Sequence, residues 1–207
     1  MAVYRSEEKQ KELTELVGVG VNSLVGIPAD VTNETQVQSL LQTVVGKYGR
    51  VDILLNIVGT YKGGADVSST SESDWDLLMN TNLKSAFLCS KAVLPYMVKQ
   101  NCGKIVSVSA RPAVEKRFRA KNGAYAVSKA GVKILTETIA EEVKQYDINV
   151  NCIIPSTIDT PANRLSLAKA DPSKWVKPED IAKVILFLVS DDSRVTSGAS
   201  ILVYGKA

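Results

Sequence analysis

The fold is decided by residues 103–133, which read GKIVSVSARPAVEKRFRAKNGAYAVSKAGVK. The apolar run at 105–108 predicts a short buried strand, and the residues from about 124 to 145 predict a helix. That helix carries Tyr125 and Lys129 four residues apart, so their side chains share one helical face. Because a neighbouring ammonium favours the phenolate, we expect a lowered pKa for Tyr125 and a role as general acid or base.

Strands and helices alternate on both sides of this stretch. The predicted strands lie at residues 2–5, 23–28, 51–58, 104–109, 149–155 and 199–204. Asn33 and Gln36 predict a capping box at the start of one helix, and Gly49 lies near its end. Apolar strands alternating with helices are typical of a doubly wound α/β domain with a parallel sheet, and we expect one such domain over residues 1–207.

Composition excludes several classes of function. The chain has 45% hydrophobic residues, a net charge of +3 and no histidine. Such a charge argues against nucleic-acid or membrane partners, and the lack of histidine excludes the usual zinc sites and Ser-His-Asp hydrolysis. The sequence predicts no metal site, and three cysteines without a signal peptide indicate reduced thiols in a cytoplasmic protein.

A lone Tyr-x-x-x-Lys pair is common on ordinary helices, but this one has a specific context. Tyr125-Ala-Val-Ser-Lys129, after Lys-Ile-Val-Ser-Val-Ser, resembles the active-site segment of the short-chain dehydrogenase/reductase family. Further segments resemble family motifs in the same order: Asp30-Val31, Asn56-Ile-Val-Gly59, Asn80-Thr-Asn82 and Pro155-Ser-Thr-Ile158-Asp-Thr160. The resemblance covers nearly the whole chain and implies a Rossmann-type fold with a nicotinamide cofactor.

The resemblance also implies a role for each matching residue. Tyr125 would exchange a proton with the substrate oxygen, Lys129 would lower the pKa of Tyr125 and bind the nicotinamide ribose, and Asn82 would hold a water. Asp30 also fits a turn before a capped helix, and Gly59 also fits a strand end. The implied cofactor-binding residues are Asp30, Val31, Asn56, Gly59, Tyr125, Lys129, Pro155, Ile158 and Thr160.

The first departure from the family pattern is at the N-terminus. The family begins with a strand and a glycine-rich loop that binds the pyrophosphate, and here both are absent, so the fold reads as N-terminally truncated. Removing that central strand would leave a gap of roughly 10 Å in the sheet. Three arrangements are compatible with this: a longer natural protein, re-pairing of the remaining strands, or another chain in the gap. A longer natural protein is favoured, because the rest of the sequence after this point keeps the pattern of an active enzyme.

The second departure is at the catalytic serine. The family strand ends Asn-x-Ser-Ser, whereas this one ends Ser107-Val-Ser109-Ala110, so an alanine stands where the substrate-binding serine belongs. Ser109 is one residue early and, in an extended strand, points to the opposite face. The sequence leaves open whether Ser109 replaces the missing serine.

Charge at the end of the second family strand indicates the cofactor. Where family members that use NAD carry an acid, this chain has Tyr4, followed by Arg5 and Ser6. An arginine and a hydroxyl suit a 2′-phosphate, so Arg5 and Ser6 join the cofactor-binding set and NADP(H) is favoured over NAD(H). The alternative for Arg5 is a solvated surface residue.

The leading hypothesis is an NADP(H)-dependent oxidoreductase that interconverts a ketone and a secondary alcohol. The alternative is a truncated, non-catalytic relative that acts as a binding or oligomerising module. The resemblance implies a homodimer or homotetramer, and Leu135, Ile139 and Val143 are candidates for its contact face, although core burial would explain them as well.

Overall fold

The structure is a computed structural model that describes residues 2–4 and 25–206. Its strands form two parallel sheets, one of two strands and one of four in the order β3-β4-β5-β6. The strands are β1 Ala2–Tyr4, β2 Gly26–Pro28, β3 Ile53–Asn56, β4 Gly103–Val108, β5 Ile148–Pro155 and β6 Ser200–Val203. This arrangement confirms the predicted α/β class.

Helices connect the parallel strands from β2 to β6. They are α1 Glu34–Tyr48, α2 Glu72–Leu78, α3 Ser85–Gln100, α4 Gly123–Glu142, α5 Pro161–Ser166 and α6 Pro178–Val189. A π-helical turn, Met79–Lys84, joins α2 to α3. Short 3-10 turns lie at Val67–Ser69, Arg111–Ala113, Lys116–Phe118, Pro172–Lys174 and Asp191–Ser193. No helix in the described ranges is long and apolar enough to cross a membrane.

Local signals in the sequence set the ends of α1. The Asn33 side chain accepts a hydrogen bond from the Gln36 backbone N–H at 3.2 Å, and Gly49 ends the helix at a φ of 75°. A left-handed φ of this kind suits glycine, which has no Cβ. The Gln36 side chain accepts from the Asp30 backbone N–H at 2.7 Å, so the cap also fixes the turn that follows β2.

The four-stranded sheet is covered on both faces. One apolar cluster packs β4 and β5 against the three long helices α1, α3 and α4, and the other packs them against α6. Every residue of β5 is buried, as expected for a central parallel strand. Ile139 and Val143 belong to the first cluster and Leu135 packs against it, so core packing accounts for the residues that the sequence offered as a contact face.

Strand β3 departs from the prediction of a buried strand over residues 51–58. Only Ile53–Asn56 is a strand, and Ile53 and Leu55 are 46% and 41% exposed. The reason is that, among the described residues, β3 pairs only with β4. In the described residues the other edge of β3 is not hydrogen-bonded to the β1-β2 sheet. The described strands therefore do not close the expected gap by pairing with each other.

Candidate active site

The candidate residues meet at one edge of the four-stranded sheet. Asn56 ends β3, Val108 lies at the end of β4, and Pro155 ends β5. Carboxyl ends of parallel strands form the usual binding crevice of open α/β sheets. Helix α4 begins beside this edge and carries Tyr125 in its first turn and Lys129 one turn later.

Lys129 is buried under this edge, with 5% of its surface exposed. Its ammonium donates to the carbonyl of Val108 at 2.9 Å, which leaves two of its three N–H donors without a protein acceptor among the described residues. A Cβ added at Gly59 would lie 3.0 Å from Lys129 Nζ and 3.2 Å from Asn82 Oδ1. Glycine at position 59 therefore keeps open a polar space between the lysine and the asparagine.

Asn82 is held in this position by the π-helical turn Met79–Lys84. Its amide oxygen accepts from the Thr60 N–H at 2.7 Å, and its Nδ2 donates to the Thr60 carbonyl and the Ser128 hydroxyl, both at 3.0 Å. The Ser128 hydroxyl in turn donates to the carbonyl of Tyr125 at 2.9 Å. Asn82 thus connects the loop after β3 to the first turn of α4, and its predicted role as a water ligand stays a prediction.

The pKa of Tyr125 differs from the expectation. Burial, with a smaller contribution from Tyr61, raises the pKa of the Tyr125 phenol to about 12. Burial also lowers the pKa of Lys129 to about 8, against a small opposing influence of Cys152. The prediction of a lowered tyrosine pKa is therefore wrong for the protein alone, because loss of solvent around the phenol disfavours the phenolate.

Serines near the site have structural partners. The Ser109 hydroxyl donates to the carbonyl of Lys129 at 2.7 Å, and the residue is buried. Asn56 Nδ2 donates to the hydroxyls of Ser90 and Ser107, each at 3.2 Å, so this asparagine ties β3 to β4 and α3. The Ser109 hydroxyl is therefore engaged with the backbone of α4, and Ala110 stands at the family position without a hydroxyl.

The remaining cofactor candidates lie at several places around the sheet edge. The Asp30 carboxylate accepts from the backbone N–H and the hydroxyl of Thr32 in the turn after β2, and Val31 lies in the same turn. Ile158 forms an isolated bridge with Val176 beyond β5. Thr160 caps α5 by accepting from the Asn163 N–H at 3.2 Å. Arg5 and Ser6 lie outside the described residues.

Two residues at the site were missed by the sequence analysis. The ring of Tyr61 meets that of Tyr125 edge to face, with centroids 5.0 Å apart. The Tyr61 hydroxyl donates to Asn122 Oδ1 at 2.9 Å, which joins the loop after β3 to the start of α4. An aromatic residue two positions after Gly59 was the available signal.

This donor set fits the ribose of a nicotinamide nucleotide. The space kept open by Gly59 is bordered by an ammonium with unused N–H donors and by an amide oxygen. Ribose hydroxyl oxygens accept hydrogen bonds from an ammonium, and no side chain at position 59 competes for the space. Tyr125 and Lys129 would hold that part of the cofactor.

Comparisons with known proteins agree with this geometry. A family model described as enoyl-(acyl carrier protein) reductase matches residues 1–205. A 3-oxoacyl-(acyl-carrier-protein) reductase FabG from Thermotoga maritima is 38% identical over 184 residues, which are 85% of this chain and 74% of that protein. A hydroxy(phenyl)methylsuccinyl-CoA dehydrogenase subunit from Thauera aromatica is 33% identical and covers 96% of this chain and 82% of its own length.

Solved structures show the same fold. A short-chain dehydrogenase/reductase from Burkholderia xenovorans superimposes with a TM-score of 0.90 at 31% identity, covering 98% of this chain and 81% of its own. ElxO with bound NADP superimposes with a TM-score of 0.91 at 27% identity, covering 98% of this chain and 86% of its own. The chain therefore belongs to the short-chain dehydrogenase/reductase family, a family of oxidoreductases.

Proposed function

We propose that this chain interconverts a ketone and a secondary alcohol with NADP(H), with Tyr125 as the proton donor and acceptor. The observation that carries the proposal is the buried Lys129 ammonium, which faces the space kept open by Gly59 one helical turn from Tyr125. A buried ammonium is costly in a folded protein, so its retention beside a tyrosine in a sheet-edge crevice indicates a functional site.

Each residue has a separate task in this proposal. The hydride comes from the reduced nicotinamide when the cofactor is bound. Tyr125 donates its phenolic proton to the carbonyl oxygen, Lys129 orients the ribose, and Asn82 holds the Thr60 loop against α4. Because burial raises the pKa of Tyr125 to about 12, the phenol is protonated at neutral pH and ready to act as an acid. A protonated phenol is the state from which reduction of a carbonyl starts.

A 3-oxoacyl thioester is the first substrate class to test. Two relatives are named for substrates attached to acyl carrier protein or to CoA. Ala110 offers no hydroxyl to the carbonyl oxygen, so Tyr125 is the side-chain donor on which carbonyl polarisation would rest. An electron-poor ketone, such as one next to a thioester, depends less on a second donor.

NADP(H) is the proposed cofactor for two reasons. Arg5 follows the first strand, where a positive charge suits a 2′-phosphate. ElxO, which superimposes closely on this chain, was solved with NADP bound. The experiment is a titration of the chain with NADPH and NADH, followed by nicotinamide fluorescence and by melting temperature. Micromolar binding of NADPH and weaker binding of NADH would support the proposal.

We further propose a homodimer or homotetramer of a single-domain protein that works in the cytoplasm. Free thiols at Cys89, Cys102 and Cys152 suit a reducing compartment. Large apolar side chains are exposed on the described structure and could form subunit contacts: Phe87, Val127, Ile134, Leu186, Phe187 and Leu202. Light scattering would measure the number of subunits.

The edge of β3 supports a second candidate function. Among the described residues, β3 is hydrogen-bonded only to β4, and an apolar strand edge without a partner is a template for pairing with another chain. A non-catalytic binding or oligomerising protein therefore also fits. The same titration separates the two candidates. A cooperative melt with no response to either nucleotide would favour the non-catalytic protein.

A further inference from the structure

The segment between β4 and α4 holds a large share of the positive charge. Residues 111–121 contain five cations and one carboxylate, a net charge of +4, whereas the whole chain carries +3. Four of these cations are exposed, and we call them the basic rim: Lys116, Arg117, Arg119 and Lys121. Charges placed only for solubility are normally mixed in sign, so this concentration calls for another explanation.

The rim is built on an ordered support. The Arg111 guanidinium lies 4.3 Å from the ring centroid of Phe118 and 4.5 Å from that of Tyr204, and it pairs with Glu115 at 2.9 Å. Arg119 donates to the carbonyls of Pro112 and Ala113, at 3.1 and 2.9 Å. Arg111 and Arg119 thus hold the segment together, and all four rim cations are exposed to solvent.

The rim adjoins the catalytic tyrosine. The carbonyl of Lys121 accepts from the Gly64 N–H at 2.7 Å, and the next residue, Asn122, accepts from the Tyr61 hydroxyl. Lys121 has a φ of 60°, a left-handed conformation that is unfavourable for a lysine and is found mostly where surrounding structure imposes it. Since the Tyr61 ring packs against that of Tyr125, these contacts connect the Lys121 end of the rim to the proposed proton donor.

The rim has little acidic compensation. Within the described part of the chain, no carboxylate forms an ion pair with Lys116, Arg119 or Lys121. Arg117 shares Glu115 with Arg111. Several uncompensated cations beside a cleft create a positive potential that attracts anions.

We propose that the basic rim binds a phosphate-bearing part of the substrate, so that the ketone reaching Tyr125 is carried on a phosphorylated arm. This inference rests on the proposed function and specifies its substrate class. Lysine and arginine bind phosphate through charge-assisted hydrogen bonds, and the ordered support reduces the entropy lost on binding. The phosphates stay in the solvated rim while the uncharged ketone enters the drier site next to Tyr125.

The test compares two substrates that share one ketone. Acetoacetyl-CoA carries phosphates, and acetoacetyl-N-acetylcysteamine is a neutral thioester of the same acid. The measured quantity is the KM for acetoacetyl-CoA divided by the KM for the neutral thioester. In the double variant Lys116→Glu/Lys121→Glu this ratio should rise about 10-fold at low salt, because the CoA phosphates lose their attraction to the rim. At about 0.5 M salt the ratio should fall back towards that of the wild type. Lys47→Glu/Lys99→Glu makes the same charge change at exposed positions near the opposite edge of the sheet, and it should leave the ratio unchanged.

An unchanged ratio would overturn the proposal, whether the two KM values stay the same or rise by equal factors. A binding measurement separates the rim from catalysis. Tripolyphosphate should raise the melting temperature of Tyr125→Phe, and this rise should be lost when the two rim substitutions are added. If the wild type reduces neither thioester but binds tripolyphosphate through the rim, the proposed reaction is wrong and the proposed phosphate site is supported. If the rim substitutions do not change tripolyphosphate binding, the proposed phosphate site is wrong.

Discussion

Replacing Lys129 with methionine should change how the stability of the chain depends on pH. Burial lowers the pKa of Lys129 from 10.5 to about 8. Below pH 8 the folded chain holds a buried ammonium that the unfolded chain would hydrate, and a shift of this size corresponds to about 3 kcal/mol. The penalty is complete at pH 7 and fades as the pH rises from 8 to 10.5, because over that range the folded lysine has lost its proton while the unfolded lysine still holds one.

Methionine has a similar length and carries no charge, so the variant avoids this penalty. It also loses the hydrogen bond to the Val108 carbonyl, which offsets about 1.5–3 kcal/mol of the gain. The unfolding free energy of the variant relative to wild type should therefore fall by about 3 kcal/mol between pH 7 and pH 10.5. Tyr125 and the thiols titrate in both proteins, so to first order they cancel in the difference.

Urea denaturation of both proteins at several pH values between 7 and 10.5 measures this difference. Lys133→Met is the matched control, because Lys133 lies one turn further along α4, keeps solvent contact and pairs with Glu137. The control difference should stay nearly constant over the same interval. A flat difference for Lys129→Met would refute the reasoning, since it would mean that the buried amine does not change protonation there. NADPH-dependent turnover should be lost in Lys129→Met at every pH.

Four further predictions concern the proton donor, Ser109, Ala110 and strand β3. Tyr125→Phe should reduce turnover about 10²–10⁴-fold and leave nucleotide affinity nearly intact; loss of affinity would make the tyrosine structural. Ser109→Ala should lower the melting temperature by about 2–4 °C, through one lost hydrogen bond, and slow turnover less than about 3-fold. Turnover slowed by about two orders of magnitude would instead mean that Ser109 binds substrate, and Ala110→Ser should raise catalytic efficiency if the family position still reaches the carbonyl. Leu55→Ala should cost less than about 1.5 kcal/mol in urea denaturation, because Leu55 is 41% exposed; a cost above about 2 kcal/mol would show that another segment covers β3 in solution.

Local signals predicted the helices of the site well. Asn33 and Gly49 fixed the ends of α1, and the Tyr125–Lys129 spacing placed both residues on α4. These features depend on neighbours within a few residues, which the sequence displays directly. The predicted burial of residues 51–58 failed because it depends on a partner strand, and an apolar run alone does not say whether a partner is present.

The predictions that were wrong or missing at the site concern properties that arise from contacts between residues far apart in the sequence. The pKa of Tyr125 is set by burial among distant segments, and no spacing along the helix encodes it. The sequence left the role of Ser109 open, and its hydrogen bond to the carbonyl of Lys129, 20 residues further along the chain, is a contact that only the fold brings about. Tyr61 and Asn122 meet only when the loop after β3 lies against the start of α4.

The π-helical turn between α2 and α3 has a consequence for how sequences of this kind can change. Such a turn is an α-helix with one inserted residue, and an insertion rotates everything beyond it by about 100°. The side chains of α3 are therefore rotated about the helix axis relative to those that a regular continuation of α2 would present. In this rotated setting Met97 packs in the core. Removing one residue from Met79–Lys84 would restore a continuous α-helix and turn either Asn82 away from Thr60 or Met97 away from the core. The π-helical turn thus lets one continuous helical segment direct Asn82 towards Thr60 and Met97 towards the core, which a regular α-helix of this sequence could not do together.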